Sequence, residues 1–141
     1  MKISEKGIAL IKVFEGCRLA AYLDAVGIPT IGYGSTTGVT LGDAISQDEA
    51  EALLIEDLEP FERCVTACVK VPIDQNAFDA LVSFAYNLGG DALRQSTLLK
   101  YVNAGDFLTA SKEFHKWVHA GANILPGLVA RRRAEADLFM S

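Results

Sequence analysis

An uncharged stretch of 18 residues, Ala25–Gly42, is the feature that most constrains what this chain can fold into. Its length is close to that of a membrane-spanning helix. It contains five glycines, four threonines and Pro29, which favour turns and strands over helix. The segment Tyr22–Val39 is therefore predicted to form a small antiparallel sheet of two or three strands. Its turns are predicted at Gly27, Gly34 and Gly38.

The flanking sequence has the periodicity of amphipathic helices. Ser4 is expected to cap a first helix that ends near Glu15. Ser46 and Glu49 have the spacing of a capping box, which opens a second helix, and Pro60 is expected to kink or break it. Further helices are predicted from Asp74 to Gly89, Ser96 to Asn103, Asp106 to Trp117 and Leu128 to Phe139.

These elements predict an α+β fold in a single domain, residues 1–141. A small N-terminal β lobe would cover about residues 16–45. A larger helical lobe would cover about residues 60–141 together with the N-terminal helix. A cleft between two such lobes is where a ligand would be expected to bind.

Composition excludes several classes of function. The chain has 13 basic and 18 acidic residues, a net charge of −5, which argues against a nucleic-acid partner. Its three cysteines are too few and odd in number for a disulfide framework. The N-terminus does not have the pattern of a cleavable signal peptide. We therefore expect a protein made in the cytoplasm, without stable membrane association. We also expect a monomer.

Candidate chemistry lies between Phe14 and Tyr33. Glu15 is placed where the first helix ends, Asp24 where the β lobe begins, and Thr30 on a strand beside it. Two carboxylates on different elements suit glycosidic bond cleavage, in which one donates a proton and the other activates water or attacks the sugar. On spacing alone, ordinary solvated roles for both carboxylates stay open.

The run from Phe14 to Gly34 resembles the signature of the bacteriophage T4-type lysozymes, glycoside hydrolase family 24. In that signature Glu, eight residues, Asp, five residues and Thr follow one another, as Glu15, Asp24 and Thr30 do here. The similarity continues at residues 75–89, 96–99, 103–106, 125–128 and 131–132. It covers nearly the whole chain and resembles most the endolysins of lambdoid phages.

The resemblance implies a two-lobed lysozyme-like fold and a muramidase that cuts peptidoglycan between N-acetylmuramic acid and N-acetylglucosamine at the β-1,4 bond. Glu15 would be the general acid, and Asp24 and Thr30 would hold the attacking water, giving inversion. Tyr33 and Arg132 are the candidates for contact with the glycan. No metal or cofactor is implied. The protein would stay in the host cytoplasm until a holin, or another agent that disrupts the membrane, gives it access to the periplasmic wall.

One position departs from the resemblance: many relatives have His where this chain has Ser35, which puts the local support of the β lobe in question. A degenerate relative that binds glycan without cutting it is an alternative, although the intact Glu15, Asp24 and Thr30 argue against it.

Three rival patterns remain. A structural zinc site could in principle use two cysteines and two histidines. The run Gly32–Gly38 narrowly misses a dinucleotide-binding fingerprint. Arg131–Arg133 is either a solvated helix face, with Arg131 paired to Glu135, or places one arginine inward. The four candidate zinc ligands are Cys64, Cys68, His115 and His119.

Overall fold

A computed structural model describes residues 1–141, which form seven α-helices and two small antiparallel sheets. The helices are α1 (Glu5–Glu15), α2 (Gln47–Cys68), α3 (Gln75–Leu88), α4 (Gly90–Gln95), α5 (Thr97–Asn103), α6 (Phe107–Glu113) and α7 (Pro126–Met140). The strands are β1 (Arg18–Leu23), β2 (Pro29–Gly32), β3 (His119–Ala120) and β4 (Asn123–Ile124), and a 3₁₀ turn covers Phe114–Lys116. The α+β class predicted from the sequence is confirmed.

The chain divides into two compact units. One unit combines Met1–Leu10 with Pro60–Ser141 and contains α3 to α7. The other unit is Ile11–Glu59 and contains the sheet of β1 and β2. We call them the helical unit and the β unit.

The sheet of the β unit is an antiparallel hairpin in which Tyr22 lies opposite Thr30, and Leu23 opposite Pro29. Its first strand begins at Arg18, four residues earlier than predicted. The sequence of β1, RLAAYL, explains the difference, because it lacks apolar–polar alternation and contains two alanines of low strand propensity. Pairing with β2, rather than local preference, extends the strand.

Apolar side chains from α1, β2, the residue that follows β2, and α2 form the core of the β unit. These buried residues are Ile11, Ile31, Tyr33, Ala50, Leu54 and Leu58. The capping box before α2 is confirmed: the Glu49 amide donates to the Ser46 hydroxyl at 3.1 Å, and the Ser46 amide donates to the Glu49 carboxylate at 3.1 Å. Both partners of the box are satisfied, so the start of α2 is fixed locally.

The predicted break at Pro60 is wrong, because α2 continues through it for 22 residues in all. Proline removes one backbone donor and crowds the preceding turn, at a cost of about 3 kcal/mol. Leu54 and Leu58 before the proline and Val65 after it are completely buried. Burial of one such side chain contributes about 1.5–3 kcal/mol, so packing along α2 outweighs the local cost.

Helix α3 is the centre of the helical unit, with every residue from Ala77 to Ala85 buried. Asp74 caps it as predicted, since its carboxylate accepts a 2.8 Å hydrogen bond from the Ala77 amide. The helix ends at Gly89, also as predicted, with φ at +97°. Helix α7 packs along α3. The central helix is therefore enclosed by later parts of the chain.

The first residues of the chain are attached to α3. Ser4 precedes α1, as predicted, but its hydroxyl and amide both donate to the buried Asp79 instead of capping the first turn. The side chain of Gln75 donates to the Lys2 carbonyl at 2.7 Å. Its neighbour Asn76 donates to the Ser141 hydroxyl at 3.1 Å. Two consecutive residues at the start of α3 thus hold the two ends of the described chain.

Three features of the helical unit were not predicted. The chain forms α4 directly after Gly89, and residues 119–124 form the small hairpin of β3 and β4. The helix that starts after Asp106 changes to a 3₁₀ turn at Phe114 and stops before Trp117. These elements are two to seven residues long, too short for a periodic pattern to reveal them.

Candidate active site

Glu15 is the last residue of α1, and its side chain is half-buried. The helix stops there because Gly16 adopts a left-handed conformation, with φ at +68°, which costs little only for glycine. The Gly16 amide donates to the Lys12 carbonyl at 3.0 Å, and β1 begins at Arg18. The carboxyl group therefore stands at the junction of helix and sheet, as predicted.

Asp24 forms the turn that joins β1 to β2. Its Oδ1 accepts hydrogen bonds from the Val26 amide at 2.9 Å and from the Ile28 amide at 2.8 Å. Gly27 completes the turn with φ at +84° and donates to the Asp24 carbonyl. Both side-chain bonds fall on one oxygen, so the turn holds the carboxylate in place while Oδ2 stays available to another donor.

Thr30 lies on β2 and is 4% exposed. Its hydroxyl donates to the Ile28 carbonyl at 2.9 Å. The backbone of Ile28 therefore binds both candidate side chains: its N–H donates to Asp24, and its C=O accepts from Thr30. The hairpin thus brings these two predicted residues together. The role of Ile28 is carried by its backbone, so no sequence motif could have indicated it.

Tyr33 is only 6% exposed. Its hydroxyl accepts a 2.9 Å hydrogen bond from the Gln47 side chain, and the Lys12 ammonium lies 5.7 Å from the centre of its ring. This position gives no support to the predicted contact with glycan, because the hydroxyl, the polar group that would bind a sugar, is already bound within the β unit.

Arg132 is completely buried in the helical unit. Its guanidinium donates to the Trp117 carbonyl at 3.0 Å, to the Glu135 carboxylate at 2.5 Å and to the Asn87 side chain. This position does not support the predicted contact with glycan, since the side chain has no exposed surface and its guanidinium is bound within the helical unit. Arg132 instead joins α7 to α3 and to the segment before β3.

Arg131 is also buried, and it pairs with Glu135 at 3.3 Å. The i,i+4 pair with Glu135 is present, and of the two alternatives left open the solvated face is wrong: Arg131 and Arg132 both face inward. Ser83 on α3 donates to the Glu135 carboxylate at 2.5 Å, so several hydrogen bonds satisfy the buried charges. Of the three consecutive arginines, only Arg133 is exposed.

Ser35 provides the local support that the departure from the resemblance had put in question. It is 5% exposed, and its hydroxyl donates to the Asp57 carboxylate on α2 at 2.5 Å. Its backbone pairs with Ile31 in both directions, at 2.8 and 2.9 Å. The segment that follows β2 is thereby attached both to its own strand and to α2.

The rival patterns do not form sites. No three His, Cys, Asp or Glu side chains are placed to hold a metal ion, so the four-ligand zinc alternative fails. Burial and the neighbouring Cys64 raise the pKa of the Cys68 thiol to about 11.

The glycine-rich run Gly32–Gly38 is followed by turns, and the next helix begins only at Gln47. A phosphate site needs that helix N-terminus directly after the glycines.

A spanning helix must be long and continuously apolar. None of the seven α-helices meets both conditions.

Comparison with known proteins places the chain among phage lysozymes. The family model described as phage lysozyme matches residues 12–135. The endolysin of Acyrthosiphon pisum secondary endosymbiont phage 1 is 48% identical, and the match covers 100% of this chain and 99% of that protein. The endolysin of Bacillus phage B103 is 47% identical over 100% of this chain, which spans only 55% of that longer protein.

A solved structure gives the same result for the fold. The muramidase domain of SpmX from Asticaccaulis excentricus is 40% identical, with a TM-score of 0.95, over 99% of this chain and 98% of that one. The lysozyme-like fold expected from the sequence is therefore confirmed. On the extent of the family match and the identity to the endolysins, this chain belongs to the phage lysozyme family.

Proposed function

We propose that residues 1–141 act as one catalytic domain, a muramidase that hydrolyses the β-1,4 bond between N-acetylmuramic acid and N-acetylglucosamine in peptidoglycan, with inversion. Glu15 is the general acid, and Asp24 and Thr30 position the attacking water. The observation that carries this proposal is the Ile28 backbone, which holds the side chains of Asp24 and Thr30 side by side. Membership of the lysozyme family supports the class of reaction.

The acid step uses the carboxyl group of Glu15. A glycosidic oxygen is a poor leaving group until it is protonated, and a positioned carboxylic acid supplies that proton as the bond breaks. Glu15 suits this role because α1 ends directly at it and Gly16 turns the chain away. The carboxyl group is thus presented by a rigid helix end.

The water step uses Asp24 and Thr30. The single Thr30 hydroxyl hydrogen is committed to the Ile28 carbonyl, so its oxygen faces water only as an acceptor. The Oδ2 atom of Asp24 is a second acceptor. A water that donates one hydrogen to each acceptor keeps a lone pair for the anomeric carbon, and Asp24 takes the proton. Inverting enzymes need such a held water between the sugar and the base.

Glu15→Gln tests the assignment of the acid. The amide has nearly the same shape but cannot deliver a proton, and general acid catalysis is worth about a hundred- to ten-thousand-fold. We expect a loss of that size in reducing sugar released from purified peptidoglycan, with the melting temperature unchanged. Glu5→Gln, in the exposed first turn of the same helix, is the matched control and keeps full activity. A folded Glu15→Gln protein with near-normal activity refutes the proposal.

The identity of the released sugar and its anomeric form test the bond and the stereochemistry. Cleavage of the proposed bond leaves N-acetylmuramic acid at the new reducing end, and inversion yields the α-anomer first. A reducing N-acetylglucosamine end, or an initial β-anomer, contradicts the proposal. The same assay separates an enzyme from a glycan-binding relative, which releases no sugar.

We further propose that the protein stays in the cytoplasm until a holin or a similar agent opens the membrane. Its relationship to endolysins supports this proposal. Expression of the chain alone should leave culture turbidity unchanged until chloroform is added, and lysis should then be prompt. Lysis of untreated cells contradicts this route of access.

A further inference from the structure

A polar network in the β unit connects α1, the segment after β2, and α2. Its members are Lys12, Cys17, Tyr33, Gln47 and Glu51, and we call it the Lys12–Glu51 network. Glu51 is the hub: it forms an ion pair with Lys12 and accepts a 3.2 Å hydrogen bond from Gln47. Gln47 also donates to the Tyr33 hydroxyl at 2.9 Å.

Two members of the network lie on either side of Glu15 in the sequence, at the end of α1. Lys12 lies three residues before Glu15, one helical turn earlier. Cys17 lies two residues after Glu15, and its thiol is 3.8 Å from the Gln47 side-chain oxygen. Glu15 is therefore bracketed by two residues whose side chains are anchored to the first two turns of α2.

The same network anchors the segment that carries Thr30. Tyr33 follows Thr30 by three residues and is buried. Its hydroxyl is bound by Gln47, and the Lys12 ammonium lies 5.7 Å from its ring centre. Displacing Glu51 would thus release contacts on both sides, towards Glu15 through Lys12 and towards Thr30 through Gln47 and Tyr33.

The central pair stays charged over the working range of the protein. The hydrogen bond between the two side chains is the main cause that raises the pKa of Lys12 and lowers the pKa of Glu51. Each side chain is about one-third exposed, at 32% and 34%. Solvent screens an exposed ion pair of this kind, so its contribution to the stability of the fold is small.

We propose that Lys12, Gln47, Glu51 and Tyr33 are positioning residues that fix the end of α1 relative to β2, and with it the acid Glu15 relative to the water site at Thr30. This inference rests on the proposed function of Glu15. It gives Tyr33 a role inside the β unit in place of contact with glycan. A misplacement of about 1 Å between reacting groups can cost about a hundredfold in rate, so a network that contributes little to stability can still control kcat.

The test compares Glu51→Gln and Tyr33→Phe with the wild type on soluble, uncross-linked glycan strands. We expect kcat to fall about tenfold in each variant, KM to change less than about twofold, and the melting temperature to match that of the control. Asp91→Asn is the control, since it removes the acid of an exposed ion pair with Arg94 in the helical unit. It should leave kcat, KM and melting unchanged.

A charge reversal distinguishes positioning from a general effect of charge. Lys12→Glu alone should lower kcat as Glu51→Lys alone does, and the double reversal should recover most of the loss. The inference is overturned if the single variants keep the wild-type kcat, or if kcat falls only as far as the folded fraction does. It is also overturned if the double reversal does not recover kcat. If Glu51→Gln does not fold, Tyr33→Phe decides, because it removes a single oxygen.

The two proposals fail in different ways. A fully active Glu15→Gln removes the basis of both. An inactive Glu15→Gln beside wild-type kinetics in Glu51→Gln and Tyr33→Phe leaves the acid assignment standing and overturns the positioning role alone.

Discussion

Replacement of Asp24 by asparagine separates the two tasks of this side chain. In the turn, Oδ1 accepts hydrogen bonds from the amides of Val26 and Ile28. In the proposed reaction, Oδ2 takes a proton from water. The amide of asparagine keeps a carbonyl oxygen for the turn but presents an NH₂ group, a donor, where the base should be. Asp24→Asn should therefore keep the turn and lose the reaction.

The expected loss of stability and the expected loss of activity in Asp24→Asn differ in size. A hydrogen bond to an ionised group is worth about 1.5–3 kcal/mol and a neutral one about 0.5–1.5 kcal/mol, so two bonds that lose their charge cost about 2–3 kcal/mol before solvent is counted. Val26 and Ile28 are 79% and 46% exposed, and water replaces part of any loss. Loss of the general base costs at least about a hundredfold, or about 2.7 kcal/mol in the barrier.

The assay combines initial rates on purified cell walls with urea denaturation. Asp24→Asn should unfold within about 1 kcal/mol of the wild type and release less than about 1% of the wild-type sugar. Asp24→Ala removes both acceptors and should lose about 2–3 kcal/mol of stability as well as activity. An Asp24→Asn protein with more than about a tenth of the wild-type rate would refute the base assignment.

Three further predictions concern other parts of the chain. Thr30→Ala should slow the reaction about tenfold, less than Asp24→Asn does, because the hydroxyl only orients the water. Thr30→Ser keeps the hydroxyl and should be near wild type. A Thr30→Ala rate below that of Asp24→Asn would mean that the roles given to Thr30 and Asp24 are reversed. Arg132→Met should lower the free energy of unfolding by about 3 kcal/mol, because the buried Glu135 Oε1 atom and the Trp117 carbonyl lose their donor. Exposed Arg133→Met should change it by less than about 0.5 kcal/mol, and equal values contradict the buried network. Iodoacetamide should alkylate Cys68 slowly at pH 8, and the rate should rise about tenfold per pH unit towards pH 10, as measured by peptide mass mapping. The reason is that the thiolate is the nucleophile and the pKa of the Cys68 thiol is raised to about 11. An alkylation rate that does not depend on pH contradicts the raised pKa.

The sequence predicted helix ends correctly where a few neighbouring residues determine the local structure. The caps at Ser46 and Asp74 and the stop at Gly89 each depend on residues within a few positions of one another, and all three are present. The positions of Glu15 and Asp24 follow from such local rules, since a helix end and a hairpin turn place them.

Long-range packing determines what the sequence could not indicate. Helix α2 continues through Pro60 because the burial of apolar side chains along the helix outweighs the local free-energy cost of the proline. The run Arg131–Arg133 left open either a solvated face or one inward arginine, and partners on α3 make burial of Arg131 and Arg132 favourable. The Lys12–Glu51 network joins residues up to 39 positions apart, and no motif in the sequence links its five members to one another.

The attachment of both chain ends to Gln75 and Asn76 has a consequence for synthesis on the ribosome. The first ten residues belong to the same compact unit as residues 60–141, so they cannot reach their native partners until Asp79 and its helix have emerged. Meanwhile the β unit, Ile11–Glu59, is contiguous and can form earlier. A circular permutant that joins Ser141 to Met1 by a short linker and opens the chain at the exposed turn of Leu41 and Gly42 would make the helical unit contiguous without cutting α2. Residues 1–10 could then dock without that delay.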